Sequence, residues 1–243
     1  MDLRPFIDST YLKTPQEAGI SVKADREVVV HLVQEAVKEG FKAVVLRPNH
    51  VGLARKMVDE AQSALHVVSV VDFPKGTASL AKKIDEANRL IERGVDELDF
   101  VIDYKAYKAG HHDKLKEAVY EGTRVCLEAG KICKWIVETA ALSEAQIEHL
   151  TLIIRDVVVS NFGRNRATRV FVKSATGYYE TAAGIPSGAT VRDIKILVEN
   201  SGPLGVKASG GIRNRKEAER YVKLGVQRIG TSSAAAMLAR EEK

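Results

Sequence analysis

Eight short apolar runs recur along this chain, each separated from the next by charged, helix-periodic residues. They fall at 6–9 (FIDS), 42–48 (KAVVLRP), 66–73 (HVVSVVDF), 97–103 (ELDFVID), 133–140 (CKWIVETA), 169–175 (RVFVKSA), 204–209 (LGVKAS) and 227–233 (QRIGTSS). Runs this short and this rich in β-branched residues read as strands buried on both faces. Strands alternating with helices imply a parallel sheet. Eight such units in 243 residues favour a closed (β/α)8 TIM barrel, which needs about 250 residues. One α/β domain spanning 1–243 is therefore expected. Glycines mark several helix ends: KEG, ERG and EAG stand before the second, fourth and fifth strands. The first strand is short and residues 9–31 look irregular, which keeps an open doubly wound sheet as the alternative. Two segments read as loop elaborations: the basic, turn-rich 160–169 and the glycine- and proline-bearing 178–188.

Composition narrows the function. The formal net charge is +5, without a block of like charges, which argues against a nucleic-acid-binding tail. The excess would suit an anionic small substrate, and equally an ordinary solvated surface. Cys126 and Cys133 build no disulfide framework and fit no metal spacing. The start MDLRPFIDST lacks a secretory apolar region, and no run approaches the roughly 18 residues of a membrane span. These features predict a soluble, cytoplasmic protein with neither nucleic acid nor membrane as partner. The sequence does not fix an oligomeric state; a homodimer is the working expectation.

In a barrel, functional groups stand at the carboxyl ends of the strands. The polar residues there are Asp8, Asp72, Asp99 with Asp103, Glu138, Lys173, Lys207, and Ser232 with Ser233. Lys173 closes the buried run VFVK, a costly place for an ammonium group unless it is paired or used. Lys207 ends the next strand, and neighbouring strands lie about 4.8 Å apart. Two such lysines disfavour each other's charge, and burial acts in the same direction. One of them can then be neutral and nucleophilic toward a carbonyl. Asp99, spaced to face inward on the fourth strand, is suited to shuttling protons. The plainer reading makes these residues salt bridges that hold the barrel rim. Gly210 and Gly211 after the seventh strand, and Gly230, Ser232 and Ser233 after the eighth, each precede a helix. Backbone N–H groups there suit a phosphate, although a turn or N-cap would use the same residues. His111 and His112 lack a third ligand nearby and read as a solvated loop. No metal or cofactor is expected, and no GxSxG, P-loop or GxGxxG motif is present.

At these residues the chain resembles the deoxyribose-phosphate aldolase family over nearly its whole length. FIDSTYLK, VVDFPKG, DELDFVID, KWIVETAAL, VKSATG, SGATVRDI and VKASGGIR resemble family segments, in the family order. The resemblance implies a metal-free class I aldolase that reversibly cleaves 2-deoxy-D-ribose 5-phosphate to acetaldehyde and D-glyceraldehyde 3-phosphate. Its Schiff-base lysine falls on Lys173, its acid/base aspartate on Asp99 and its assisting lysine on Lys207. Thr176, Gly177, Gly210, Gly211, Ser232 and Ser233 would hold the phosphosugar, and Asp8 would contact a sugar hydroxyl or orient Lys207. The chain departs from the family pattern at Ser9 (histidine), Val45 (often cysteine), Ala175 (serine) and Tyr178 (lysine or phenylalanine). It also carries the unusual segments 160–169 and 179–186, and it ends in EEK without the tyrosine tail of some members. Rival readings are a Schiff-base aldolase with a different donor and a non-catalytic phosphosugar-binding barrel.

Overall fold

A computed structural model describes residues 1–238 of the chain; the EEK ending lies outside them. Eight parallel strands form the sheet: β1 (Ile7–Tyr11), β2 (Ala43–Leu46), β3 (His66–Val71), β4 (Glu97–Val101), β5 (Ile132–Ile136), β6 (Val170–Lys173), β7 (Gly205–Ser209) and β8 (Arg228–Thr231). Each pairs with the next in sequence, and β1 pairs with β8 to close the barrel. The helices are α1 (Pro15–Ala18), α2 (Val22–Glu39), α3 (Val51–Glu60), α4 (Leu80–Glu92), α5 (Tyr104–Lys108), α6 (His112–Glu128), α7 (Glu144–Ala167), α8 (Val191–Asn200), α9 (Arg215–Lys223) and α10 (Ala234–Leu238). The open doubly wound sheet is thereby excluded.

Local signals explain most boundaries. Gly40, Gly94 and Gly130 all take positive φ after their helices, a conformation that glycine adopts at little steric cost. Between β1 and the first long helix the chain is regular rather than irregular. Thr14 and Glu17 form a capping box around α1, and the Ser21 side chain caps α2. The segment 160–169 is a second correction. Most of it belongs to α7, which continues to Ala167 and is interrupted only at Gly163, with φ 77° and ψ 160°. Its glycine and asparagines resemble a turn. Buried Ile147, Leu150, Ile154 and Val158 seat the preceding turns, and Phe162 stacks on Tyr120 with ring centroids 5.6 Å apart. Residues 178–188 do form a loop.

Strand alternation sends every second side chain into the barrel. The outward residues pack under the helices in one large aliphatic core that includes Trp135 and Phe100. The interior divides by chemistry. On the β2–β3 side, Ala43, Val45, Val68 and Val70 form an apolar cluster with Leu12. On the other strands the buried inward residues include the charged set Asp8, Glu97, Asp99, Lys134, Lys173, Lys207 and Arg228.

Below Lys173 and Lys207 the barrel is filled by Phe171, whose ring leaves no room on β7. A Cβ built on Gly205 would lie 2.3 Å from that ring. Gly205→Ala should therefore destabilise the fold by about 1–3 kcal/mol through overpacking, seen as a lower Tm in thermal denaturation. An unchanged Tm would mean that the ring can withdraw freely.

Candidate active site

The register of the sheet sets the site. Lys173 on β6 pairs with Lys207 on β7, and Asp99 on β4 pairs with Lys134 on β5. All four side chains turn inward and converge on the Asp99 carboxylate. Lys134 Nζ donates to Oδ1 at 2.6 Å, while Lys173 Nζ and Lys207 Nζ each donate to Oδ2 at 3.0 Å. A second tier lies beneath. Lys134 also pairs with Glu97, and Arg228 grips Glu97 with two N–H groups, at 2.9 and 3.0 Å. Arg228 Nε donates to Asp8 Oδ1 at 2.6 Å. Lys207 Nζ lies 2.6 Å from Asp8 Oδ2, close enough for a strong ion pair but off the hydrogen-bonding direction.

Charge counting explains which group can give up a proton. Three carboxylates (Asp8, Glu97, Asp99) face four bases (Lys134, Lys173, Lys207, Arg228). Releasing one proton balances the interior. Burial opposes ionisation of Asp99, but Lys134, Lys207 and Lys173 together hold its carboxyl well below the usual range. Glu97 is held low in the same way by Lys134, His66 and Arg228. Lys134 resists burial because Asp99 and Glu97 flank it, so its pKa rises. Lys173 is the weak member. Burial is the largest influence on it; Asp99 favours its charge, Lys207 and Lys134 oppose it, and its pKa falls to about 8. A lysine so placed is partly neutral near physiological pH and nucleophilic.

Lys173 opens onto a pocket of about 700 Å³ at the carboxyl end of the barrel. Thr176, Gly177, Gly210, Gly211 and Ser232 line this pocket with it. Gly210 and Gly211 have φ of 90° and 76°, forming a turn whose backbone faces the cavity. Asp99 and Lys207 sit just below, behind Lys173. Three of the expected contact residues have partners within the protein. Asp8 is fully buried beneath Lys207 and off the pocket wall, with its carboxylate paired to Lys207 and Arg228. Ser233 is not on the pocket wall; its N–H donates to Thr231 Oγ1 at 2.9 Å. Thr176 is there, but its N–H and hydroxyl are both directed to Glu138. The start of α9 is partly satisfied from within the chain. Asn214 caps it, and the Glu217 carboxylate takes the Arg213 N–H at 2.8 Å. Tyr178, the departure beside Gly177, lines the pocket and meets the Phe73 ring edge-on at 5.0 Å.

Sequence reasoning missed Lys134, Glu97 and Arg228. Their signal was present: a charged residue two positions from another inward residue, as in Glu97-x-Asp99 and Arg228-x-Gly230, betrays a barrel interior that is not apolar. Among the described residues no group of three or more His, Cys, Asp or Glu is arranged to hold a metal. No helix there is long and apolar enough to cross a membrane.

Comparison with known proteins bears on this arrangement. No protein-family model matches the chain. The deoxyribose-phosphate aldolase of Thermococcus gammatolerans is 35% identical over 234 residues, 96% of this chain and 93% of its own length. That of Treponema denticola is 34% identical, covering 98% of this chain and 99% of its own. Among solved structures, the deoxyribose phosphate aldolase of Aeropyrum pernix, described as a tetramer, superposes with a TM-score of 0.77 at 29% identity. The match covers 97% of this chain and 89% of that one.

The electrostatic account of Lys173 can be checked without any substrate. Lys207→Leu removes a cation and leaves Asp99 freer to stabilise the Lys173 ammonium, so both effects raise its pKa above the present value of about 8. The pH dependence of Lys173 reductive methylation, followed by mass mapping, reads this shift. A pKa that stays at about 8 would assign the depression to burial and Lys134 instead of Lys207.

Proposed function

The chain belongs to the deoxyribose-phosphate aldolase family, an enzyme assignment from which we propose that it cleaves 2-deoxy-D-ribose 5-phosphate to acetaldehyde and D-glyceraldehyde 3-phosphate through a Schiff base on Lys173. The observation that carries this reading is Lys173 itself: a pocket-facing amine of lowered pKa, 3.0 Å from a carboxylate shared with a second lysine. In its neutral form Lys173 attacks C1 of the open-chain aldehyde. Loss of water from the carbinolamine gives an iminium, the electron sink that the next step needs. Deprotonation of the C3 hydroxyl breaks the C2–C3 bond, releasing glyceraldehyde 3-phosphate and leaving an enamine. Protonation at C2 and hydrolysis release acetaldehyde and restore the amine.

The surrounding charges fit these steps. In the resting site three lysines hold Asp99 ionised. It orients Lys173 and Lys207, stabilises the iminium and, through a bound water, moves protons with Lys207 to and from the substrate. The phosphate would lie against Gly177, Gly210, Gly211 and Ser232, which line the same pocket as Lys173. A single domain, a cytoplasmic setting and the absence of nucleic acid as partner belong to this proposal. The tetrameric description of the Aeropyrum pernix relative lends the expected homodimer no support.

Borohydride reduction in the presence of deoxyribose 5-phosphate should fix the substrate carbon on Lys173, and Lys173→Ala should lose both trapping and cleavage. Only the neutral amine attacks, so kcat/KM should fall as pH drops below about 8 and level off above it. Trapping on Lys207 would reassign the nucleophile. A trapped adduct with dihydroxyacetone but none with acetaldehyde would favour the aldolase of different donor.

The phosphate assignment has its own test. Gly211→Val finds open space but a φ of +76°, so the turn must shift; Ser232→Asp places a negative charge on the pocket wall. Both should weaken deoxyribose 5-phosphate relative to unphosphorylated deoxyribose, in kcat as well as KM, since remote binding also orients the reacting carbonyl. If both keep the wild-type ratio, the phosphate binds elsewhere.

A further inference from the structure

Glu138 has no part in the Schiff-base chemistry, yet the chain holds it under unusual constraint. It stands just after β5 with φ 58° and ψ 65°, a left-handed conformation that only glycine adopts freely. Its flanking peptides are fixed to the strand of the nucleophile. Val137 N–H donates to the Lys173 carbonyl and Thr139 N–H to the Ser174 carbonyl, both at 2.9 Å. This backbone turn delivers a buried carboxylate, 2% exposed, onto the loop that follows Lys173. There it accepts the Thr176 N–H at 3.2 Å and the Thr176 hydroxyl. The same Thr176 oxygen accepts the Tyr178 N–H at 3.0 Å. Gly177 is thus held between two tied neighbours, at φ 81° on the pocket wall and facing the Gly210 turn.

We propose that Glu138 is a positioning residue of this aldolase site: its carboxylate clamps Thr176 so that the Gly177 backbone faces the substrate phosphate. The inference rests on the reading that the phosphate lies between Gly177 and the Gly210–Gly211 turn. Without the carboxylate, the buried Thr176 N–H loses its acceptor and the peptide must rotate to find water in the pocket. That rotation carries Gly177 with it. Lys173 itself stays in place, since β6 and Asp99 hold it independently. The clamp should therefore act on phosphate recognition and spare imine formation. Glycine suits the backbone at position 138, so Glu138→Gly removes the clamp and relieves the strained conformation at the same position.

The experiment compares kcat/KM for deoxyribose 5-phosphate and for deoxyribose, alongside borohydride trapping with acetaldehyde, which has no phosphate. For Glu138→Gly the phosphate preference should fall by roughly tenfold, the effect of losing a charge-assisted hydrogen bond. Most of the fall should lie in KM for the phosphorylated substrate, with acetaldehyde trapping on Lys173 near the wild-type rate. Glu138→Gln retains one acceptor and should fall between. Thr176→Val should reproduce the glycine variant, and the double variant should be no worse than either single one. Should Glu138→Gly not fold, the glutamine and valine variants decide on the same ratio. An unchanged ratio, or a parallel loss on both substrates and in trapping, would overturn the clamp. A wild type that is trapped on Lys173 but shows no phosphate preference would instead bring down the phosphate placement, and the clamp with it. A wild type that is not trapped at all would refute the Schiff-base reading.

Discussion

The Asp99 carboxylate is the point on which the interior of this barrel depends. Three ammonium groups reach it from β5, β6 and β7, and none would be tolerable there alone. Removing a carboxylate from such a buried cluster costs about 3–5 kcal/mol in comparable systems, because the remaining charges lose their partners. The same contact also fixes geometry, holding Lys173 and Lys207 on one oxygen. The arrangement that makes a charged interior stable is also the one that leaves Lys173 the easiest base to deprotonate.

Stability and reactivity are separated by depth. Glu97, Arg228, Asp8 and Lys134 form the lower tier, ion-paired with one another and without access to the pocket. Lys173 alone combines membership of the network with an open side. The apolar cluster on β2 and β3 completes the asymmetry; from that side, among the described residues, only His66, at the start of β3, reaches the network, through Glu97.

Much of this was legible in the sequence, for physical reasons. Eight buried strands announce themselves through short β-branched runs, and helix ends through glycines that need positive φ. Lys173 and Lys207 stood out because each closes an otherwise apolar run. Arg228 opens its strand, where a charge looks like a solvated end, and Lys134, midway along β5, is betrayed only by its alternation with its neighbours. The path of α7 past Gly163 depended on packing against neighbours, which no local signal encodes. Ser233 and Thr176 illustrate a further limit. Their chemistry suits a substrate, but the choice between substrate and a neighbouring hydroxyl or carboxylate is made by a turn of a single peptide.

The loop 178–188 is fastened at both of its ends and nowhere else so firmly. At one end the Tyr178 N–H is tied to Thr176. At the other, Gly188 lies against Gly210 so closely that an added Cβ would come within 2.4 Å of its backbone, and Ala189 N–H is shared between the Ser209 and Gly210 carbonyls. Chain entropy grows only slowly with the length of a loop whose ends are fixed. The stretch between these two anchors is therefore a replaceable module. Its length and composition can drift, and with them the shape of the rim that an incoming aldehyde first meets, while the lysine a few residues upstream keeps its position and its charge.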